Sequence, residues 1–321
     1  MQIPARATAE STASREPDSP QLRATVAVAR VLLQHAPGER IPNVAQLRAG
    51  IGVGAGTVQK ALQELQLRGT VTLDSKQRQG TFVVERRLGE LWKAAALPAF
   101  SVLLPLPNSW EFQGLATGLR VTLDAVGMPS TFLFGHGSEQ RAEALRTGLV
   151  QLAVMSNFAA DELCQPDSGL AVEVSLEAGS YYAADSVIVL ARVPRDRIGP
   201  SPRIGIDPQS PDHIALTRRE FPDSQYVDIS YSHIPSALTR GIVDAAVWHR
   251  SAIGLSVADQ DLVSWTPVAS IGTDTDHKLD TAALVINRSD HFTKSVLASC
   301  SIDRVTAIQA TVVAGETLPA Y

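Results

Sequence analysis

Two groups of side chains in this chain have types and spacings that fit recognition chemistry. The first lies between residues 40 and 78. Val58, Ala61, Leu62 and Leu65 recur at i, i+3, i+4 and i+7, so Thr57, Gln59 and Lys60 share the opposite, polar face of one helix, with Gln63 and Arg68. A Gln amide can pair bidentately with adenine, and Thr and Lys reach base edges. Around them stand Arg40, Arg48, Arg68, Lys76 and Arg78, followed by Arg86 and Arg87. Cations at this density fit phosphate oxygens, which confer salt-dependent affinity without sequence information. The expected partner is a double-stranded DNA operator.

The second group follows short apolar runs further along: Asn108, Ser109 and Trp110; Ser156 and Asn157; Asp207 to Ser210; Ser230 and Tyr231; and Trp248 with His249. Tyr181 and Tyr182 offer an aromatic wall. If the runs are strands of open α/β sheets, these residues lie at strand carboxyl ends and helix N-termini, where free N–H groups face a crevice. Lys and Arg are scarce there, Arg250 excepted. Hydroxyls, backbone N–H groups and Asp207 favour a small polar metabolite (a zwitterion, carboxylate or sugar-like molecule) over a polyphosphate, which needs basic clamps.

Catalytic signatures are missing. The sequence holds no GxSxG, HExxH or GxxxxGK[ST], and Gly52, Gly54 and Gly56 lack the strand-helix context of a dinucleotide loop. His136, His213, His233 and His249 have no metal-ligand spacing, and Cys164 and Cys300 stand alone, to be read as buried small hydrophobes. No enzyme activity, cofactor or metal is expected.

The elements that must position both groups divide by charge. Over residues 20 to 88 ten Lys and Arg stand against four Asp and Glu, a balance of +6; residues 89 to 321 carry 16 against 26, or −10, within an overall charge of −5. A basic block on an acidic body points to a small part that meets a polyanion and a large part with another task. At 321 residues, 45% hydrophobic and 19% charged, the chain suits two packed domains and excludes a largely disordered one. No run approaches the roughly 18 apolar residues of a membrane span, and the N-terminus lacks a signal-like apolar stretch, so a cytoplasmic location is expected. The expected organisation is a disordered tail over 1–19, a DNA-binding domain over 20–84, a linker over 85–99 with a short helix interrupted at Gly89, and an effector-binding domain over 100–321.

Within the basic block, Leu22, Val26, Ala29 and Leu33 predict a helix over 21–35, Asn43 caps a second helix, and a reversal over Gly50 to Gly56 leads to a third that Gly69 ends. Two strands around Asp74 to Gln79 follow, which makes a small α+β winged helix-turn-helix. Ile41-Pro42, Gly56-Thr57-Val58-Gln59-Lys60-Ala61-Leu62, Leu65, Gly69 and Arg78-Gln79-Gly80-Thr81-Phe82-Val83 resemble the GntR-type bacterial transcription regulators over about residues 21–85. Where that family usually has Arg in the turn and after Thr-Val, this chain has Gly54, Ala55 and Gln59. Bidentate Arg–guanine contacts are thereby largely removed from the start of the third helix.

The acidic body reads as α/β. Strands are expected at 101–106, 131–134, 151–155, 171–176, 186–191, 203–206, 225–229, 243–248, 263–268 and 280–286, with helices at 112–125, 138–147, 210–221, 232–240 and 289–313, the last with one break. Ala144-Leu145-x-x-Gly148-Leu149-Val150-x-x-Ala153-Val154 recurs 93 residues later as Ala237-Leu238-x-x-Gly241-Ile242-Val243-x-x-Ala246-Val247. Each copy is a helix ending at a C′ glycine and turning into an apolar strand, so two similar lobes are expected. Two α/β lobes joined by crossing strands, placed at 183–206, resemble the periplasmic-binding-protein type II architecture. Phe112-x-Gly114-Leu115-Ala116-x-Gly118-Leu119, Asp228-Ile229-Ser230-Tyr231, Val243 to Trp248 and the terminal Val313-x-Gly315-Glu316-x-x-Pro319-x-Tyr321 resemble the effector domain of YhfZ-like regulators.

Together these readings imply a one-component transcription regulator, a homodimer on a palindromic site. A metabolite between the lobes would modulate its winged helix. The alternative is a metabolite-binding protein or cryptic enzyme that uses the winged helix only for assembly.

Overall fold

The computed structural model describes residues 19–183, 186–250, 264–268 and 277–321, so the tail expected over 1–19 lies outside it apart from Ser19. Two compact units are present, Met1–Pro98 and Ala99–Tyr321.

In the first unit α1 (Pro20–Leu33) starts at Ser19, whose Oγ accepts the Leu22 N–H. Helix α2 (Val44–Ile51) opens with a reciprocal Asn43–Gln46 capping box. Gly52 ends α2 at φ 74°, and Gly54 precedes α3 (Ala55–Leu67), which therefore starts one residue before the expected Gly56. Ala24, Val28, Leu32, Leu47, Val58, Ala61 and Leu65 form the core between the helices. Strands β1 (Val71–Lys76) and β2 (Gly80–Arg86) pair antiparallel, with a bulge at Thr72/Leu73. Arg40 bridges to Phe82, and Gly80 at the wing turn has φ 106°, a conformation that favours glycine. Helix α4 (Leu88–Ala94) runs through Gly89 without interruption and buries Leu88, Leu91 and Trp92. Arg30 Nε donates to Ala95 O at 3.1 Å, so this stretch is built into the unit.

The second unit has two five-stranded sheets. One holds β3 (Phe100–Leu104), β4 (Ser130–Phe134), β5 (Leu152–Ser156), β6 (Leu170–Ser175) and β12 (Ala282–Asn287) in the order β4-β3-β5-β12-β6. The other holds β7 (Val187–Ala191), β8 (Arg203–Ile206), β9 (Gln225–Asp228), β10 (Ala245–His249) and β11 (Ser264–Pro267) in the order β11-β7-β10-β8-β9. All ten expected strands exist, with ends moved by one or two residues. In each sheet the third strand of a parallel α/β unit lies beside an antiparallel strand that arrives from, or returns to, the other lobe. This is the two-lobed, periplasmic-binding-protein type II arrangement.

The helices are α5 (Trp110–Ala125), α6 (Ser138–Arg146), α7 (Asn157–Leu163), α8 (Pro211–Glu220), α9 (Ile234–Thr239), the short α10 (His277–Asp280), α11 (His291–Ala298) and α12 (Ile302–Val313). The repeated motif occupies equivalent positions, α6–β5 and α9–β10. Leu149 N–H bonds Ala144 O at 2.9 Å and Ile242 N–H bonds Ala237 O at 2.8 Å, with Gly148 at φ 71° and Gly241 at φ 69°. These are matching Schellman turns.

Three expectations need correction. The crossing is not 183–206: the chain leaves the first sheet after β6 at Ser175 and joins the second with β7 at Val187, so β7 and β8 both belong to the second lobe. Helix α7 is not among the expected helices, although Ala159, Ala160 and Leu163 supply a buried stripe. Cys164 and Cys300 are half-buried free thiols, not fully buried ones. Among the described residues no single helix is long and apolar enough to cross a membrane.

Candidate functional site

On the first unit, Gln59, Lys60 and Gln63 are exposed along α3, and Thr57 is half-buried. Arg40, Arg48 and Arg78 are exposed. Lys76 lies 5.1 Å from the Phe82 ring centroid and 4.0 Å from Asp74. Arg68 pairs with Glu64 on the same helix. Arg78, at the wing tip, adopts φ 64°, a left-handed conformation that holds the turn open beside Gly80. Arg86 does not face outward as a phosphate partner would. Its Nη1 donates to Leu33 O at 2.7 Å and His35 O at 2.8 Å, which satisfies carbonyls at the end of α1, and burial lowers its pKa.

On the second unit, a crevice of about 500 Å³, its open mouth included, lies between the lobes. Its floor and walls carry Asn108 and Phe112 from the start of α5, His136, Gly137 and Arg141 around the start of α6, and Tyr181 and Tyr182 from the crossover. The second lobe contributes Asp207, Ser210, His213, Tyr231 and His249. Aromatic groups pack into two walls. Phe112, Tyr181, Tyr182 and His249 have neighbouring centroids 4.8 to 6.1 Å apart, and Tyr231 stacks between His136 at 5.8 Å and Trp248 at 4.3 Å. Burial raises the pKa of Tyr181, Tyr182 and Tyr231, so all three are neutral phenols at physiological pH.

The lobes are clasped directly. His136 Nε2 meets Asp207 Oδ2 at 2.5 Å, Ser156 Oγ donates to Asp212 Oδ1 at 2.5 Å, and Glu139 N–H approaches Gln209 O at 3.4 Å. Asp207 is fully buried, and its oxygens also accept the Gln209 N–H at 3.0 Å and the Tyr231 N–H at 3.3 Å. Desolvation pushes its pKa up, but the bonds from His136 and Gln209 outweigh that and hold the carboxyl below its usual range. Asp212, to which among the described residues only Ser156 is bonded, is raised to about 6 by burial. His213 Nδ1 accepts the Asp207 N–H, which leaves Nε2 to donate to Val247 O at 2.9 Å; burial lowers its pKa and keeps this tautomer neutral.

The family model for gntR bacterial regulatory proteins matches residues 31–83, and the model for the YhfZ C-terminal domain matches residues 88–321. The chain belongs to the YhfZ family. "Uncharacterized protein YhfZ" of Escherichia coli (strain K12) is 28% identical over 302 residues, 92% of this chain and 95% of that protein. The crystal structure of YhfZ from Shigella flexneri is 25% identical, covers 70% of this chain and 100% of its own, and has a TM-score of 0.47. A TRAP periplasmic solute binding protein from Pseudomonas putida F1 with bound D-glucuronate is 11% identical, with coverages of 68% and 83% and a TM-score of 0.45. The GntR match identifies the first unit as the winged helix-turn-helix of a DNA-binding transcription regulator.

Of the ligand set expected from sequence, this YhfZ-family chain brings Asn108, Tyr181, Tyr182, Asp207, Ser210, Tyr231 and His249 to the crevice. The others stand elsewhere. Ser109 is buried as the cap of α5, Ser156 clasps Asp212, and Asn157 accepts from Ser175 at 3.1 Å. Trp110 is half exposed outside the crevice, Ser230 sits exposed beside Ser232, and Trp248 stacks behind Tyr231. Sequence reasoning passed over Phe112, His136 and Arg141. Arg250 is exposed and off the lining, and the basic group in the crevice is Arg141. A signal existed: Ser138, Arg141, Ala142 and Leu145 form the buried i, i+3, i+4, i+7 stripe of α6, and a charge on such a stripe faces protein or ligand.

Proposed function

We propose that a small polar metabolite binds in the crevice between the lobes and modulates DNA binding by the winged helix of a cytoplasmic, homodimeric regulator. The observation that carries this reading is the crevice itself, lined by polar and aromatic groups from both lobes and spanned by the His136–Asp207 contact. A molecule enclosed there touches both lobes at once, so it favours the closed arrangement by its contacts with each. Modulation requires that the ligand bind the DNA-competent and DNA-incompetent states with different affinity; equal affinity shifts nothing. Thr57, Gln59 and Lys60 would read base edges, while Arg40, Arg48, Arg68, Lys76 and Arg78 would contact phosphates. Paired half-sites favour a two-fold dimer.

The test is fluorescence anisotropy of the full chain on DNA from upstream of its own gene, across salt concentrations and with fractions of a bacterial metabolite extract. Affinity should fall steeply with salt, and a fraction that stabilises the second unit should change it roughly 5- to 150-fold. Binding that ignores both salt and every stabilising fraction would overturn the reading.

A further inference from the structure

Arg141 is 3% exposed yet lines the crevice. Its Nη1 donates to Gly135 O at 2.9 Å and its Nη2 to the Tyr181 hydroxyl at 3.2 Å, both neutral acceptors, and its buried Nε has no partner. Among the described residues no carboxylate oxygen comes within 4.0 Å of the guanidinium. A buried cation with no carboxylate in contact is incompletely compensated, and a fold that keeps one beside a cavity has a place for an anion.

The backbone around it has the same character. Arg141 belongs to the first turn of α6, and Gly137 at the cap position has no side chain to accept the N–H groups of that turn. Ser138, 1% exposed, holds its hydroxyl buried with no partner. The acids nearby are already engaged: Asp207 accepts from His136, Gln209 and Tyr231, and Asp212 accepts from Ser156. Neither carboxylate touches the guanidinium; Asp212 feels the Arg141 charge only through space, which lowers its pKa against the stronger effect of burial.

We propose that the turn Gly137–Ser138–Arg141 is an anion subsite and that the ligand is a small monoanionic organic acid. Its carboxylate takes the Arg141 guanidinium and the Ser138 hydroxyl, and its body lies against Phe112 and Tyr182. A single charge is favoured because one guanidinium must balance the ligand in the presence of Asp207 and Asp212; a phosphate dianion would leave an excess negative charge between two carboxylates. This inference deepens the ligand reading above and rests on it.

The experiment uses the full chain and follows thermal unfolding of its second unit and its tyrosine and tryptophan fluorescence. The probes are acetate, inorganic phosphate and chloride at matched ionic strength, together with a bacterial metabolite extract stripped of anions by ion exchange. Acetate should raise the unfolding temperature above that in chloride, and phosphate should not. Arg141→Gln should raise the half-saturating acetate concentration roughly tenfold or more, and Ser138→Ala by a smaller factor. If Arg141→Gln does not fold, the wild-type acetate–chloride difference and Ser138→Ala decide. Acetate indistinguishable from chloride in the wild type, phosphate protecting as well as acetate, or an Arg141→Gln response equal to wild type would each overturn the subsite. If the anion-stripped extract protects while acetate does not, the subsite falls and the ligand reading stands; if neither protects, both fall.

Discussion

Gly118→Ala and Gly137→Ala each push one methyl group against a backbone carbonyl, and the two should fail in different ways. A Cβ at Gly118 would sit 2.5 Å from Val305 O and 3.1 Å from Val305 C and Cα, on the face where α5 meets α12. Neither helix can withdraw without exposing Leu115, Leu119, Val305 and Val312, all buried. Overpacking against backbone therefore costs about 3 kcal/mol, the upper end of the usual range. For a unit of this size that is a loss of roughly 6–12 °C in unfolding temperature. A Cβ at Gly137 would sit 2.7 Å from Gln209 O, and its φ of 69° adds about 1–2 kcal/mol for a residue with a side chain. Gln209, however, belongs to the other lobe, which can swing away on the crossovers. The overlap is then relieved by opening, at the expense of the Glu139–Gln209 and His136–Asp207 contacts. Calorimetry of the full chain should show a loss about half that of Gly118→Ala. Hydrogen exchange should accelerate over 136–141 and 207–213 for Gly137→Ala only. Equal thermal losses with unchanged exchange in those segments would refute the hinge argument.

Three further outcomes follow from the same structure. Burial raises Asp212 from 3.8 to about 6, so its contribution to stability is fully present below about pH 4 and lost as pH rises through 6, on the order of 3 kcal/mol. Asp212→Asn should remove that decline, and unfolding temperatures of the two proteins that run parallel from pH 4 to 6.5 would count against it. Arg86→Met should destabilise the first unit by about 2 kcal/mol, because the end of α1 loses charge-assisted bonds, and should leave the salt dependence of DNA binding unchanged; a smaller salt slope would return Arg86 to the phosphate partners. Lys76→Ala should reduce that slope by about 1, whereas Gln59→Ala with Lys60→Ala should also erode discrimination between operator and random DNA, both read by anisotropy.

Much of the fold was legible because its signals are local. The apolar runs of the sheets, the C′ glycines at 69, 148 and 241 and the Asn43 cap each act within a few residues, and the matching turns after α6 and α9 show why a repeat of eleven positions marked equivalent parts of two lobes. The crossover was misplaced because β7 is an apolar strand like any other; only its antiparallel pairing with β10 reveals that it enters a new sheet. Helix α7 was lost for a related reason, since at seven residues it offers less than two turns of periodicity.

The site resisted reading because residues were chosen for being polar at strand ends, and polarity there has two uses. Ser109 and Ser210 are spent on helix N–H groups, Ser156 on Asp212, and Asp207 on holding the lobes together. Which use applies depends on the partner across the crevice, separated by 56 residues for Ser156 and 71 for His136. Arg141 is the opposite case. Its position on the buried stripe of α6 is local information, because an arginine there must either pair inside the protein or wait for a partner from outside. The sequence offers Asp207 and Asp212 as internal partners, and the fold bonds Asp207 to His136 and Asp212 to Ser156, with neither in contact with the guanidinium. The arginine is left with two neutral acceptors and a buried Nε without a partner, and that difference between a bonded acid and an incompletely matched base is what assigns a charge to the ligand.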